Sequence, residues 1–135
     1  VYTRSNIRKE QVYNFPVNMP RSEQKALFLE YLKKSDELRK KPEWYNTLTS
    51  NCTTLIFDMV QAINPYELPK DYRLIASGYL PNYLYDLKAL NQNISLKQWY
   101  QIAHINPRTE NFEQLSDQSS QHFSQIVRQG LPKAK

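Results

Sequence analysis

The run Thr49-Ser50-Asn51-Cys52-Thr53-Thr54-Leu55-Ile56-Phe57-Asp58-Met59-Val60-Gln61-Ala62-Ile63-Asn64-Pro65 changes character at its cysteine. Ahead of Cys52 the residues are small and polar; behind it, positions 52, 55, 56, 59, 60 and 63 repeat as one helix face. The spacing predicts a helix that starts at or next to Cys52, capped by Ser50 or Asn51 and stopped by Asn64-Pro65. A cysteine in that place sits among amides with no intrahelical partner and at the positive end of the helix dipole, which favours a nucleophilic sulfur. Its own amide and its neighbour's then point to where a developing negative oxygen would lie.

Upstream of this run, Pro20 and the helix formers from Glu23 to Lys40 predict a long helix with Leu27, Phe28, Tyr31, Leu32 and Leu38 on one side. Arg39-Lys40-Lys41 closes it with cations, and Pro42 prevents its continuation. The N-terminal residues alternate instead: in Gln11-Val12-Tyr13-Asn14-Phe15-Pro16-Val17, the residues Tyr13, Phe15 and Val17 share a face at period two, which predicts a strand or hairpin. Downstream, Asp71 to Ser77 reads as a short helix ended by Gly78. Pro81 opens another with Leu80, Leu84 and Leu87 aligned, and Ser95 caps a fourth helix that runs from Leu96 to about Ile105 and ends at Asn106-Pro107. The polar remainder carries Phe112, Phe123, Ile126 and Val127 as sparse anchors, with an amphipathic turn or two around Phe123.

The fold class is therefore α+β and mostly helical: an N-terminal strand or hairpin followed by about four helices. The 135 residues read as one domain, with a strand region at 1–17, a helical core at 18–105 and an extended tail at 106–135. Ten tyrosines and a 13% aromatic share supply the burial that a disordered chain lacks, and two glycines exclude collagen-like and Gly-rich classes. No stretch approaches the roughly 18 apolar residues of a membrane span.

One cysteine forms no internal disulfide, and His104 and His122 lie too far from it in sequence for zinc-ligand spacing, so no metal site and no cofactor are implied. His104, near a helix end, is expected to satisfy terminal carbonyls, and His122 to be an exposed imidazole of the tail. Eighteen Lys and Arg against 13 Asp and Glu give a net charge of +5. The basic cluster Lys33-Lys34 with Arg39-Lys40-Lys41 is interleaved with Glu30, Asp36, Glu37 and Glu43, which reads as a salt-bridged solvated face rather than a nucleic-acid footprint. Tyrosines beside leucines near a cysteine suit an acyl chain, although such residues more often form core.

Two strings in this chain, Trp44-Tyr45-Asn46-Thr47-Leu48-Thr49-Ser50-Asn51-Cys52-Thr53-Thr54 and Asp71-Tyr72-Arg73-Leu74-Ile75-Ala76-Ser77-Gly78-Tyr79-Leu80-Pro81-Asn82-Tyr83-Leu84-Tyr85-Asp86-Leu87, resemble the Lnb N-terminal periplasmic domain family. So do the opening Thr3 to Tyr13 and the ending Phe123 to Pro132. The resemblance implies a permuted papain-like fold, related in plan to NlpC-type peptidases, in which Asn-Cys opens the catalytic helix. It makes Cys52 the nucleophile of a thiol-dependent acyl transfer in the bacterial envelope, either lipoprotein N-acyltransferase-like or amidase.

Asn51 and Thr53 are then supporting residues, and Tyr45, Tyr79 and Tyr83 are substrate-binding candidates. The implied partner is a lipid or lipoprotein acyl substrate, close to a membrane that anchors the full-length protein, with no nucleic acid. The family's histidine lies on a β segment upstream of the alternating stretch, so the resemblance implies that these residues are the C-terminal part of a longer catalytic domain and lack the base. The competing reading is a non-catalytic helical binding module in which Cys52 only packs.

Overall fold

A computed structural model describes residues 1–44, 46, 51–64, 68–112 and 119–132. The chain is mostly helical, and among the described residues there is no extended strand, only isolated bridge positions. Contacts gather the residues into two compact units, one formed by Val1–Asn18 with Lys88–Lys135 and the other by Met19–Leu87.

In the Met19–Leu87 unit, α1 spans Arg21–Lys40 and α2 spans Cys52–Ile63. Glu23 lies in the first turn of α1 and Arg39 and Lys40 in its last, each where the helix dipole favours its charge. The Lys41 amide donates to the Glu37 carbonyl at 2.8 Å before Pro42 prevents continuation. The helices α1 and α2 pack against each other. The face expected for α1 is not the one that packs. Leu27 and Leu38 are half-buried, but Phe28, Leu29, Tyr31 and Leu32 are exposed and no residue of the helix is fully buried. The stripe that meets neighbours is the one through Glu23, Leu27, Glu30, Lys34 and Leu38, which leaves Phe28 and Leu32 on the open side.

Phe57 of α2 joins Leu74 and Tyr83 in the core of this unit, with Leu68, Leu80 and Leu87 packed around them. Two short 3₁₀ turns, Tyr72–Leu74 and Ser77–Tyr79, lead into α3 at Leu80–Asp86. The expected helix over Asp71 to Ser77 is thus a single 3₁₀ turn. Gly78 lies inside the second turn instead of ending a helix, and its φ is not in the left-handed region that a C-terminal glycine would supply.

In the other unit, the helices are α4 at Leu96–Ala103, α5 at Asn106–Thr109 and α6 at Ser119–Ile126. Ser95 caps α4 reciprocally: its hydroxyl accepts from the Gln98 amide at 3.3 Å, and its own amide donates to Gln98 Oε1 at 3.0 Å. Trp99, 1% exposed, donates its indole N–H to the Asn91 carbonyl at 3.0 Å. Asn106-Pro107, expected to end the fourth helix, opens α5, because proline in the first turn of a helix loses no intrahelical bond. Ile105, Phe123 and Val127 form the core here, with Tyr2, Val12 and Phe112 against it.

The expected N-terminal strand is absent. Thr3–Ile7 is a π-helical turn, and the alternating stretch is held by one antiparallel bridge between Tyr13 and His104. Ile105 N donates to Val12 O at 3.0 Å, and Asn14 N to Ala103 O at 2.8 Å. Asn106 completes the junction, its Oδ1 accepting from the Val12 amide and its Nδ2 donating to the Glu10 carbonyl. Of the three residues expected on one face of that strand, two lie side by side. Tyr13 and Phe15 have their rings 6.3 Å apart, but the partner is a helix end and not a second strand. The tail read as extended contains α6 around Phe123 and supplies half of this core.

Candidate functional site

Asn51 has extended backbone, φ −107° and ψ 174°, and its side chain turns back over the first turn of α2. Its Oδ1 accepts from the Thr53 amide at 2.8 Å and from the Thr54 amide at 3.0 Å. In return its own amide donates to Thr54 Oγ1 at 2.9 Å, closing a capping box. Asn51 and Thr53 are buried, while Cys52 between them is exposed. Side chains one apart on a helix point about 100° from each other, which lets Thr53 be buried while Cys52 is exposed. Cys52 is exposed and belongs to neither core cluster.

The amides around Cys52 differ from expectation. The neighbour's amide, expected to serve an oxyanion, is committed to Asn51 Oδ1 through Thr53. Among the described residues no acceptor meets the Cys52 amide itself. At the helix start the Cys52 amide is thus without an acceptor among the described residues, while Asn51 takes up the next two.

Tyr79 is exposed, its ring 6.2 Å from that of Tyr72, also exposed. Tyr83 is 3% exposed and donates its hydroxyl to the Pro69 carbonyl at 2.8 Å, so it packs the core. Burial pushes the Tyr83 phenol up from its ordinary value. Tyr45 lies outside the described residues, as does Ser50, the other candidate cap.

Arg73 is a well-anchored residue that no motif singled out. Its Nε and Nη2 donate to Asp71 Oδ2 at 3.0 and 2.7 Å, its Nη1 bonds Asp86, and its guanidinium lies 5.3 Å from the Tyr83 ring centre. The guanidinium holds the Asp71 carboxyl below the usual carboxylate range. The Asp71-x-Arg73 spacing carried a signal, since an Asp before a turn caps it and leaves its second oxygen to a cation two residues on.

Both histidines belong to the other unit. His104 follows α4 with extended backbone, its Nε2 2.7 Å from Gln11 Oε1 and its ring stacked on Tyr13 with centres 5.0 Å apart. It serves the bridge to the N-terminal segment rather than terminal carbonyls. His122 lies 5.9 Å from the Phe112 ring and lines an open cleft of about 530 Å³ with Gln125, Ile126, Arg128 and Gln129. Among the described residues no three His, Cys, Asp or Glu side chains converge on a metal site.

What these features define is a mostly helical domain that presents a lone exposed thiol on the first residue of a doubly capped helix. The family model of the Lnb N-terminal periplasmic domain matches residues 1–78, a span that contains that helix start, and the chain belongs to this family. No curated protein and no solved structure matches it. The family description assigns the domain to the periplasm. Among the described residues no helix is long and apolar enough to cross a membrane.

Proposed function

We propose that this domain performs thiol-dependent acyl transfer in the bacterial envelope, of the lipoprotein N-acyltransferase or amidase kind, on a permuted papain-like plan. The observation that carries the reading is the exposed Cys52 thiol at the first position of α2, under the closed Asn51–Thr54 box, in a chain of this family. Cys52 Sγ attacks the acyl carbonyl, the leaving group departs with a proton, and a thioester forms on sulfur. An amine or water then displaces the sulfur and takes the acyl group. Asn51 keeps the first turn of α2 in register, Thr53 anchors it from beneath, and the Cys52 amide faces the developing oxyanion. The exposed Tyr79 beside Tyr72 offers apolar surface to an acyl substrate.

Neither histidine is assigned as base. His104 has its Nε2 on Gln11 and its ring against Tyr13, and His122 sits over the α6 cleft. General acid and base catalysis contributes about 10²–10⁴-fold, so without it the 135 residues acylate once and release slowly. The test is intact mass after exposure to an activated thioester. The expected result is a single acyl adduct, absent in Cys52→Ala and slow to hydrolyse. Adducts spread over lysines, or none at all, overturn the reading. Repeated turnover abolished by His104→Ala would instead make His104 the base.

A further inference from the structure

The exposed face of α1 carries an unusual share of large apolar side chains. Positions 21, 25, 28, 32, 35 and 39 follow one another at spacings of four and three, so Arg21, Lys25, Phe28, Leu32, Ser35 and Arg39 form one stripe. All six are exposed, with Phe28 at 62% and Leu32 at 53%, and Leu29 and Tyr31 flank them, also exposed. The apolar patch is thus bracketed along the helix by cations at both ends.

The acids are placed differently. Glu23 and Glu30 are half-buried on the opposite side, Asp36 is engaged by both Arg39 and Lys40, and the exposed Glu37 and Glu43 are both drawn to Lys34 on that opposite side. Arg21, Lys25, Lys33, Arg39, Lys40 and Lys41 are all exposed. Among the described residues no ion pair engages Arg21, Lys25 or Lys41. Past the helix end, Trp44 stands 95% exposed.

We propose that this face of α1, with Trp44, docks onto an anionic phospholipid surface. An exposed Phe, Leu and Tyr strip needs an apolar medium, a cationic border needs anions around that medium, and a bilayer interface of anionic lipid supplies both. Tyrosine and tryptophan are the residues that rest at the headgroup level. A second copy of the chain fits less well, because two such faces would bring Arg21, Lys25 and Arg39 against their own kind. A polyanion such as nucleic acid leaves the apolar strip unused. This docking does not depend on the chemistry of Cys52.

The test is sedimentation of the chain with mixed phosphatidylcholine and phosphatidylglycerol vesicles, whose anionic surface attracts basic segments, against phosphatidylcholine alone. Trp44 emission is read alongside, since Trp99, the other tryptophan, is buried and acts as an internal reference. The expected results are at least about tenfold stronger binding to the anionic vesicles, a blue shift of the exposed tryptophan, and loss of both in Phe28→Ser/Leu32→Ser and in Lys25→Glu/Arg39→Glu. These positions are exposed, and unchanged circular dichroism verifies that both variants fold. Equal binding to neutral vesicles overturns the proposal, as does anionic binding that Phe28→Ser/Leu32→Ser leaves intact. So does a concentration-dependent dimer in light scattering that the same double variant dissolves, which would name a second copy as the occupant.

Discussion

Asn51 and Thr54 close the first turn of α2 on each other: the Asn51 side chain accepts from the Thr54 amide at 3.0 Å, and the Thr54 hydroxyl accepts from the Asn51 amide at 2.9 Å. The box holds the residue between them, Cys52, with its thiol in solvent and its neighbour Thr53 buried.

Replacing Asn51 by Ala removes the acceptor for two amides, Thr53 and Thr54, one of them on a buried residue. The expected loss is about 1–2 kcal/mol, the upper part of the range for N-cap replacement. Thr54→Val, which removes the hydroxyl's bonds to the Asn51 amide and carbonyl but leaves both capped amides their acceptor, should cost less. Urea melts of the two variants and the double variant check this. Losses in the double variant smaller than the sum of the singles are expected for a reciprocal pair. A cost near zero for Asn51→Ala would transfer the cap to another residue.

The acid limb of stability should carry the signature of Asp71. Hydrogen bonds from the Arg73 side chain hold its carboxyl below the usual range, and at α1 Lys40 and then Arg39 do the same for Asp36. A carboxyl whose folded value lies below its unfolded one, about 3.9 for Asp, stabilises the fold fully above that value. The contribution is lost as pH falls through the folded value. The urea midpoint should therefore hold from neutrality to roughly pH 5 and fall below about pH 4. Arg73→Met should flatten that fall while lowering the plateau, because Asp71 then titrates near its unfolded value in both states. An identical acid limb in the variant would assign it to other carboxyls.

Local features were the legible ones. The start of α2 at Cys52, its stop before Asn64, the Ser95 cap of α4 and the extent of α1 all follow from residues within four of each other, and the structure agrees at each. The outcome differs wherever the partner is distant. Periodicity shows that α1 has an apolar side but not which stripe is covered, and in the fold the half-buried stripe is that of Leu27 and Leu38. Alternation at Tyr13 and Phe15 shows a two-faced extended segment. That it pairs with the end of α4, through Val12, His104 and Asn106, depends on residues some ninety positions away. At the site, Cys52 and Asn51 were readable because capping is local. The burial of Tyr83 was not, since its hydroxyl answers to Pro69 and its ring to Phe57 and Leu74.

Arg108 is only partly satisfied in its setting. Its Nη1 donates to the Ile102 carbonyl at 2.9 Å, but its Nε and Nη2 are shielded from solvent with no partner among the described residues. Burial lowers its affinity for the proton, which is the same desolvation penalty seen from the other side. Two effects compete on replacing it by methionine, which keeps the apolar stem. The bond to Ile102 is lost, worth about 1 kcal/mol net for a typical hydrogen bond and up to about 3 kcal/mol when the donor is charged. The desolvation of two orphaned donors is relieved, at about 1–3 kcal/mol for each unsatisfied group and more for a charged one. The second effect is the larger, so Arg108→Met should leave stability unchanged or raise it by about 1 kcal/mol, read as the urea midpoint at pH 7. Arg108→Lys, which keeps the charge without the planar fork, should be the less stable of the two variants. A loss above about 2 kcal/mol in Arg108→Met, with Arg108→Lys tolerated, would show that the charge is paired in solution and that the guanidinium is an anchor of its unit.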